Sequence, residues 1–127
     1  MYCLDSSVVI DILRGDTTLR DKLQGEETFC ITPLVLAELF KGAYLAERQQ
    51  DALKLVEDFA HSVEIVDFSE SACKIFGQKF VELKKLGKNT QEIDLMIGCI
   101  AAAHGVMLVT RNPKHFANIR GLKIEVW

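Results

Sequence analysis

The sequence predicts an α/β domain of three layers, a central parallel sheet of about five strands flanked by helices on both faces. Three observations lead there. Short apolar runs rich in β-branched residues alternate with longer segments whose apolar residues recur at helical spacing. Helix-start signals (Asp5-Ser6-Ser7, Thr32-Pro33, Ser69) and helix-stop glycines (Gly15, Gly87, Gly105) punctuate that alternation. Strands separated by helices favour parallel pairing through right-handed crossovers. The chain has 127 residues, 49% of them hydrophobic, enough for one core, and residues 1–127 read as a single domain.

Met1 to Leu4 is a short buried strand, and the helix through Val8 to Leu13 should stop at Gly15. Thr17 to Gln24 forms a small helix closed by Gly25. Thr28 to Ile31 is β-rich, and Thr32 followed by Pro33 caps a helix with Leu36, Phe40 and Ala43 on one face. Gln49 to Ala60 continues with Leu53, Val56 and Ala60, so the two helices should pair antiparallel. Val63 to Val66 alternates as a strand. Ser69 caps a long helix that directs Ala72, Ile75, Phe76, Phe80 and Leu83 to the core and stops at Leu86-Gly87. Asn89, with Glu92 three residues on, has the spacing of a capping box for a buried helix reaching His104-Gly105. Met107 to Thr110 is the fourth strand and Asn112-Pro113 starts a helical turn. Leu122, Ile124 and Val126 alternate with Lys123 and Glu125 in an edge-like final strand.

Several classes of protein are excluded. The longest nearly uncharged stretch, Leu95 to Val109, falls short of the ~20 residues a membrane span needs. The amino terminus has no basic region or long apolar segment, so no secretory signal is read, and a soluble cytoplasmic protein is expected. Cys3, Cys30, Cys73 and Cys99 stand singly in apolar segments, without zinc-site spacing, and read as small buried hydrophobes. Cys3 and Cys30 fall in neighbouring strands, within reach of a disulfide that a reducing cytosol disfavours. The net charge of −3 counts against a nucleic-acid partner, but one bound divalent cation would bring it to −3 + 2 = −1.

Three remote carboxylates interrupt or end apolar runs: Asp5 after Met1-Tyr2-Cys3-Leu4, Glu38 within Leu34 to Phe40, and Asp94 within Ile93 to Ile97. An unpaired charge is costly to bury. If the fold gathers the three at the carboxyl edge of the sheet, a divalent cation relieves their repulsion most simply, and hard oxygen ligands suit Mg²⁺ or Mn²⁺. Each acid also has an innocent explanation. Asp5 suits a strand-to-helix turn, Asp94 a first helical turn, and Glu38 can pair with Lys41. Asn112 can be an N-cap and Thr110 a strand end. His115 is a candidate ligand, weighed against the ordinary exposed histidine of a short helix. His61 and His104, at helix ends, are given no site role.

The combined pattern is more specific than its parts. Leu4-Asp5-Ser6-Ser7, Glu38 in an apolar helix, Ile93 to Gly98, the run Met107 to Phe116 and the ending Gly121 to Trp127 together resemble the PIN-domain family, and within it the VapC-type toxin ribonucleases, over essentially the whole chain. That resemblance implies a Mg²⁺- or Mn²⁺-dependent endoribonuclease, the toxin of a type II toxin–antitoxin system, leaving 5′-phosphate and 3′-hydroxyl ends. It also implies frequent homodimers and inhibition by a VapB-type antitoxin. Asp5, Glu38 and Asp94 match the family's three recurrent acids. Asp5 and Asp94 would hold the metal, Glu38 and Asn112 would act with them at the reaction centre, and Ser6, Thr110 and Arg111 would form the outer shell or touch substrate. Many relatives add a fourth acid where this chain has Asn112 or near His115, so one firmly held metal is expected. Glu92, two residues before Asp94, should point elsewhere around the helix.

Arg14, Lys84, Lys85, Lys88, Arg111 and Lys114 are candidates to grip an RNA backbone. A haloacid-dehalogenase-like phosphatase would need an acid where this chain has Ser7. A non-catalytic PIN-like interaction module is the alternative that the missing fourth acid leaves standing. The apolar 34–46 and 72–86 helices suggest a homodimer.

Overall fold

The computed structural model describes residues 1–25 and 27–127. Among the described residues, strands β1 (Tyr2–Leu4), β2 (Phe29–Ile31), β3 (Glu64–Ile65), β4 (Met107–Thr110) and β5 (Ile124–Val126) form one sheet in the order β3-β2-β1-β4-β5, every pairing parallel. It is flanked by helices α1 (Ser6–Leu13), α2 (Thr17–Lys22), α3 (Pro33–Leu45), α4 (Gln49–Ser62), α5 (Glu70–Lys85) and α6 (Glu92–His104), and a 3₁₀ turn spans Pro113–Phe116. The central strands carry the most apolar sequence because both of their faces are covered: Cys3, Leu4, Cys30, Ile31, Leu108 and Val109 are fully buried. The two-residue β3, by contrast, is an exposed edge. No helix is long and apolar enough to cross a membrane among the described residues.

Local chemistry sets the helix ends. Asp5, Asp16, Thr32 and Ser69 each accept a backbone N–H of the helix they open, an interaction worth about 1 kcal/mol per cap. At Gly87 and Gly105 the positive φ values, 66° and 65°, close the paired 6→1 and 5→2 bonds of a Schellman motif.

Three expectations need correction. The capping box does not form, because α6 starts at Glu92 with Gln91 as its N-cap and no side-chain cap bond, leaving Asn89 two residues short of the helix. Phe80 is 36% exposed rather than in the core: it lines an open cavity beside the buried Leu83 instead of packing beneath the helix. Cys73 is exposed too, whereas the other three cysteines are buried. Cys3 and Cys30 do face each other in register but are free thiols. Their mutual hydrogen bond and burial hold the Cys3 thiol well above its usual range.

Gly98, in the middle of α6, is a packing glycine. A Cβ there would land on Ile119 Cδ1 and lie 3.3 Å from Leu122 Cδ2. Gly98→Val should therefore cost about 1–3 kcal/mol by overpacking, seen as a lower urea midpoint at unchanged m-value. Ile119→Ala in the same background should recover part of the loss. A Gly98→Val midpoint equal to the parent's would refute the close approach.

Candidate active site

From β1 the chain winds outward through β2 to β3, then crosses back to place β4 and β5 on the other side, so strand order reverses between β1 and β4. Such a reversal leaves a crevice outside the carboxyl ends of the two strands. Asp5 follows the last residue of β1, and Thr110 is the last residue of β4.

These two residues meet across the reversal. Asp5 is 5% exposed, and Thr110 is fully buried. Thr110 Oγ1 donates to Asp5 Oδ2 at 2.8 Å, Ser7 Oγ donates to the same oxygen at 3.0 Å, and the Ser6 N–H donates to Oδ1 at 2.8 Å. The Asp5 N–H in turn reaches Val109 O at 2.9 Å. Three donors thus hold a nearly buried carboxylate, which keeps further lone pairs for a ligand.

Glu38 sits on the second turn of α3, between the buried Val35 and Leu39, and is itself half-buried. Its Oε1 is buried with no hydrogen-bond partner. Burial first, then the charges of Asp5 and Asp94, push its carboxyl above the usual glutamate range, against the opposing pull of Lys41 and Ser6. Asp94, in the first turn of α6, has a side chain 16% exposed. Burial raises it as well, with the Asp5 charge adding and His115 opposing. The His115 Nδ1 lies 3.5 Å from Asp94 Oδ2. The fold therefore brings Asp5, Glu38 and Asp94 close enough to feel one another's charge. Among the described residues, however, no three His, Cys, Asp or Glu side chains are grouped tightly enough to enclose an ion in this arrangement.

The remaining candidates divide. Ser6 lies at the start of α1 beside Asp5. The exposed Asn112 donates its backbone N–H to Thr110 Oγ1 at 3.0 Å. Arg111 turns away: its Nε lies 3.3 Å from Asp11 Oδ2 and its NH1 3.6 Å from Asp16 Oδ2, while its N–H donates to Ser7 Oγ at 3.2 Å. Glu92 is exposed. Sequence reasoning missed Ser7, whose hydroxyl links Asp5 to the loop after β4. It also missed Asp11 and Asp16 as the anchors of Arg111. The only available signal for either was the density of polar groups around one strand end.

A PIN domain profile matches residues 2–122. The chain is 30% identical to Ribonuclease VapC2 of Haemophilus influenzae over 99% of this chain and 97% of that one. It is 34% identical to the tRNA(fMet)-specific endonuclease VapC of Salmonella typhimurium, with the same coverage. Among solved structures, VapBC2 from Rickettsia felis bound to a promoter DNA fragment superposes with a TM-score of 0.92 at 28% identity, covering 99% of this chain and 98% of that one.

A carboxyl raised in the fold binds its proton more readily folded than unfolded, so protonation stabilises and ionisation destabilises. In EDTA, Glu38 and Asp94 should therefore make stability fall as pH rises from the ordinary carboxylate range through their raised values. Glu38→Gln should be more stable than the parent near neutral pH and show a flatter dependence, read from urea midpoints across a pH series. A Glu38→Gln protein less stable than the parent at neutral pH would overturn the repulsion described above.

Proposed function

The chain belongs to the PIN-domain family, and from that premise we propose that it is the endoribonuclease toxin of a type II toxin–antitoxin system, hydrolysing RNA phosphodiester bonds with the help of Mg²⁺ or Mn²⁺. The observation that carries the reading is the gathering of Asp5, Glu38 and Asp94 at the strand-order reversal, with one buried Glu38 oxygen left without a partner. Full-length similarity to ribonucleases supports the activity, and similarity to toxin–antitoxin complexes supports a VapB-type antitoxin as partner.

The donor set fits a hard divalent cation: all-oxygen ligands, mutual repulsion and an orphaned carboxylate oxygen. Asp5 and Asp94 would hold it. When bound, the cation would polarise a phosphodiester oxygen and lower the pKa of a water. Glu38 is the proton acceptor: its Oε1 takes a proton from the attacking water, a role to which a raised carboxyl pKa is suited. Thr110 and Ser7 orient Asp5 through their hydroxyls, and Ser6 lies between Asp5 and Glu38. Asn112 presents its side chain at the loop edge, where it can orient water or substrate. Arg111, tied to Asp11 and Asp16, positions that loop rather than gripping RNA.

Metal-dependent cleavage of an RNA substrate is the direct test. Asp5→Asn and Asp94→Asn should each lose roughly 10²-fold or more, and EDTA should abolish cleavage by the parent. Full activity in both variants would end the metal-site assignment, and a parent that neither cuts RNA nor binds Mg²⁺ by calorimetry would favour the interaction module.

A homodimer is part of the same proposal. Tyr44 and Leu45 at the end of α3, and Val81 and Leu86 at the end of α5, are exposed and would supply the apolar contacts of such an interface. Sedimentation at micromolar concentration should give the mass of two chains, and a monomer would refute it. A soluble, cytoplasmic location accords with this reading.

A further inference from the structure

The last turns of α5, the link after them and the start of α6 enclose a cavity of about 250 Å³. The buried Leu83 and Leu95 make its apolar floor, and the exposed Phe80, Lys84, Lys88 and Asn89 line its rim with Thr90. The ion pairs among the described residues engage Lys54, Lys74, Lys79, Arg111 and His115, so Lys84 and Lys88 have no acidic partner there. The Phe80 ring, 6.1 Å from that of Phe76, is more than a third exposed at the mouth. The rim is fixed in place. Lys88 N–H bonds Leu83 O at 2.9 Å and Gly87 N–H bonds Lys84 O at 3.1 Å, a closure that needs the positive φ of Gly87. Leu95, one wall of the cavity, is the residue after Asp94.

The combination selects its occupant. The cavity lies below the ~300–1,000 Å³ of drug-sized pockets, so it suits one flat ring system. A free phosphate would leave the apolar floor unused, and an aliphatic side chain would leave the two ammonium groups uncompensated. A nucleotide uses both: its base stacks on an aromatic face and hydrogen-bonds to amide and hydroxyl groups, and its phosphates meet lysines. We propose that this cavity is a nucleotide subsite, which receives one unstacked base of the RNA near the scissile phosphate, with Phe80 against the base and Lys84 and Lys88 on the adjoining backbone. The proposal rests on the ribonuclease reading and adds a substrate requirement to it. The RNA must be single-stranded at that nucleotide, as in a loop, because a paired base cannot enter.

Binding tests the subsite independently of cleavage. Fluorescein-labelled octaribonucleotides, intact or carrying one abasic position, are titrated with the full chain in EDTA and followed by anisotropy. One abasic position should weaken binding to the parent about 10-fold. Phe80→Ala should weaken the intact RNA by a similar factor and become indifferent to that position, while Phe80→Tyr, which keeps a ring, should retain the parent's behaviour. Lys84→Gln with Lys88→Gln should weaken all the RNAs alike and flatten the salt dependence. Lys54→Gln, on α4, serves as the unaffected control, and urea midpoints verify folding. The subsite is overturned if no RNA binds at millimolar concentration, if no single base matters, or if Phe80→Ala and the double lysine variant both stay within twofold of the parent. The same RNAs are then incubated with Mg²⁺. Pocket-dependent binding without cleavage sinks the ribonuclease reading and leaves the subsite standing, whereas cleavage indifferent to the pocket does the reverse.

Discussion

The structure turns on a carboxylate held out of water by three hydrogen bonds. Asp5 lies where strand order reverses, almost wholly buried, and an unpaired charge there would oppose folding. Three donors offset that cost, and they come from both sides of the reversal: Ser6 and Ser7 from the turn after β1, and Thr110 from the end of β4. The same bonds that solvate Asp5 therefore splice β1 to β4. Arg111 extends the splice, since its backbone caps Ser7 while its side chain is held by Asp11 and Asp16 at the two ends of the α1–α2 corner. Fold and site share one hydrogen-bond network, so neither can be loosened alone.

Around that fixed charge, the neighbouring acids have little room to retreat. Glu38 is carried by a helix whose Val35 and Leu39 are locked in the core, and Asp94 by one whose Leu95 and Ile97 are equally buried. Helical geometry then aims both carboxylates toward Asp5. Burial first, and the neighbouring acid charges after it, raise the proton affinities of both. A protein selected for stability alone would not leave a Glu38 oxygen buried and unpartnered. That cost is understandable where the missing partner is an ion or a reacting water, as in sites that give up some stability for function.

Much of this was legible in the chain because the signals were local. Thr32-Pro33, Ser69, Gly87 and Gly105 act within a turn of themselves, and each marks its helix end. The three acids stood out because charge inside an apolar run is rare without a purpose. What escaped depended on distance or on competition between signals. Asn89 has the right spacing to Glu92, but α6 takes Gln91 as its N-cap and begins only at Glu92. Phe80 falls in phase with the apolar face of α5, yet periodicity cannot say that the space beside it is an open cavity while Leu83, three residues on, is buried. Ser7 and Arg111 take their roles from residues on opposite sides of a strand crossing, more than a hundred positions apart in the case of Ser7 and Thr110.

The first turn of α6 divides two electrostatic environments. On the side of Asp94 the field is negative, and the chain places His115 there, where resemblance to the family suggests many members carry another acid. A further carboxylate would add to the repulsion that already raises Asp94, whereas the imidazole opposes it. On the side of Leu95 stand Lys84 and Lys88, which have no acidic partner among the described residues. RNA requires both. The scissile phosphate needs an anionic pocket that concentrates a divalent cation, and the flanking nucleotides need cations and an apolar surface. A net charge of −3 therefore says little about affinity for nucleic acid, because acidic and basic groups set on different parts of the surface cancel in the sum without cancelling in space.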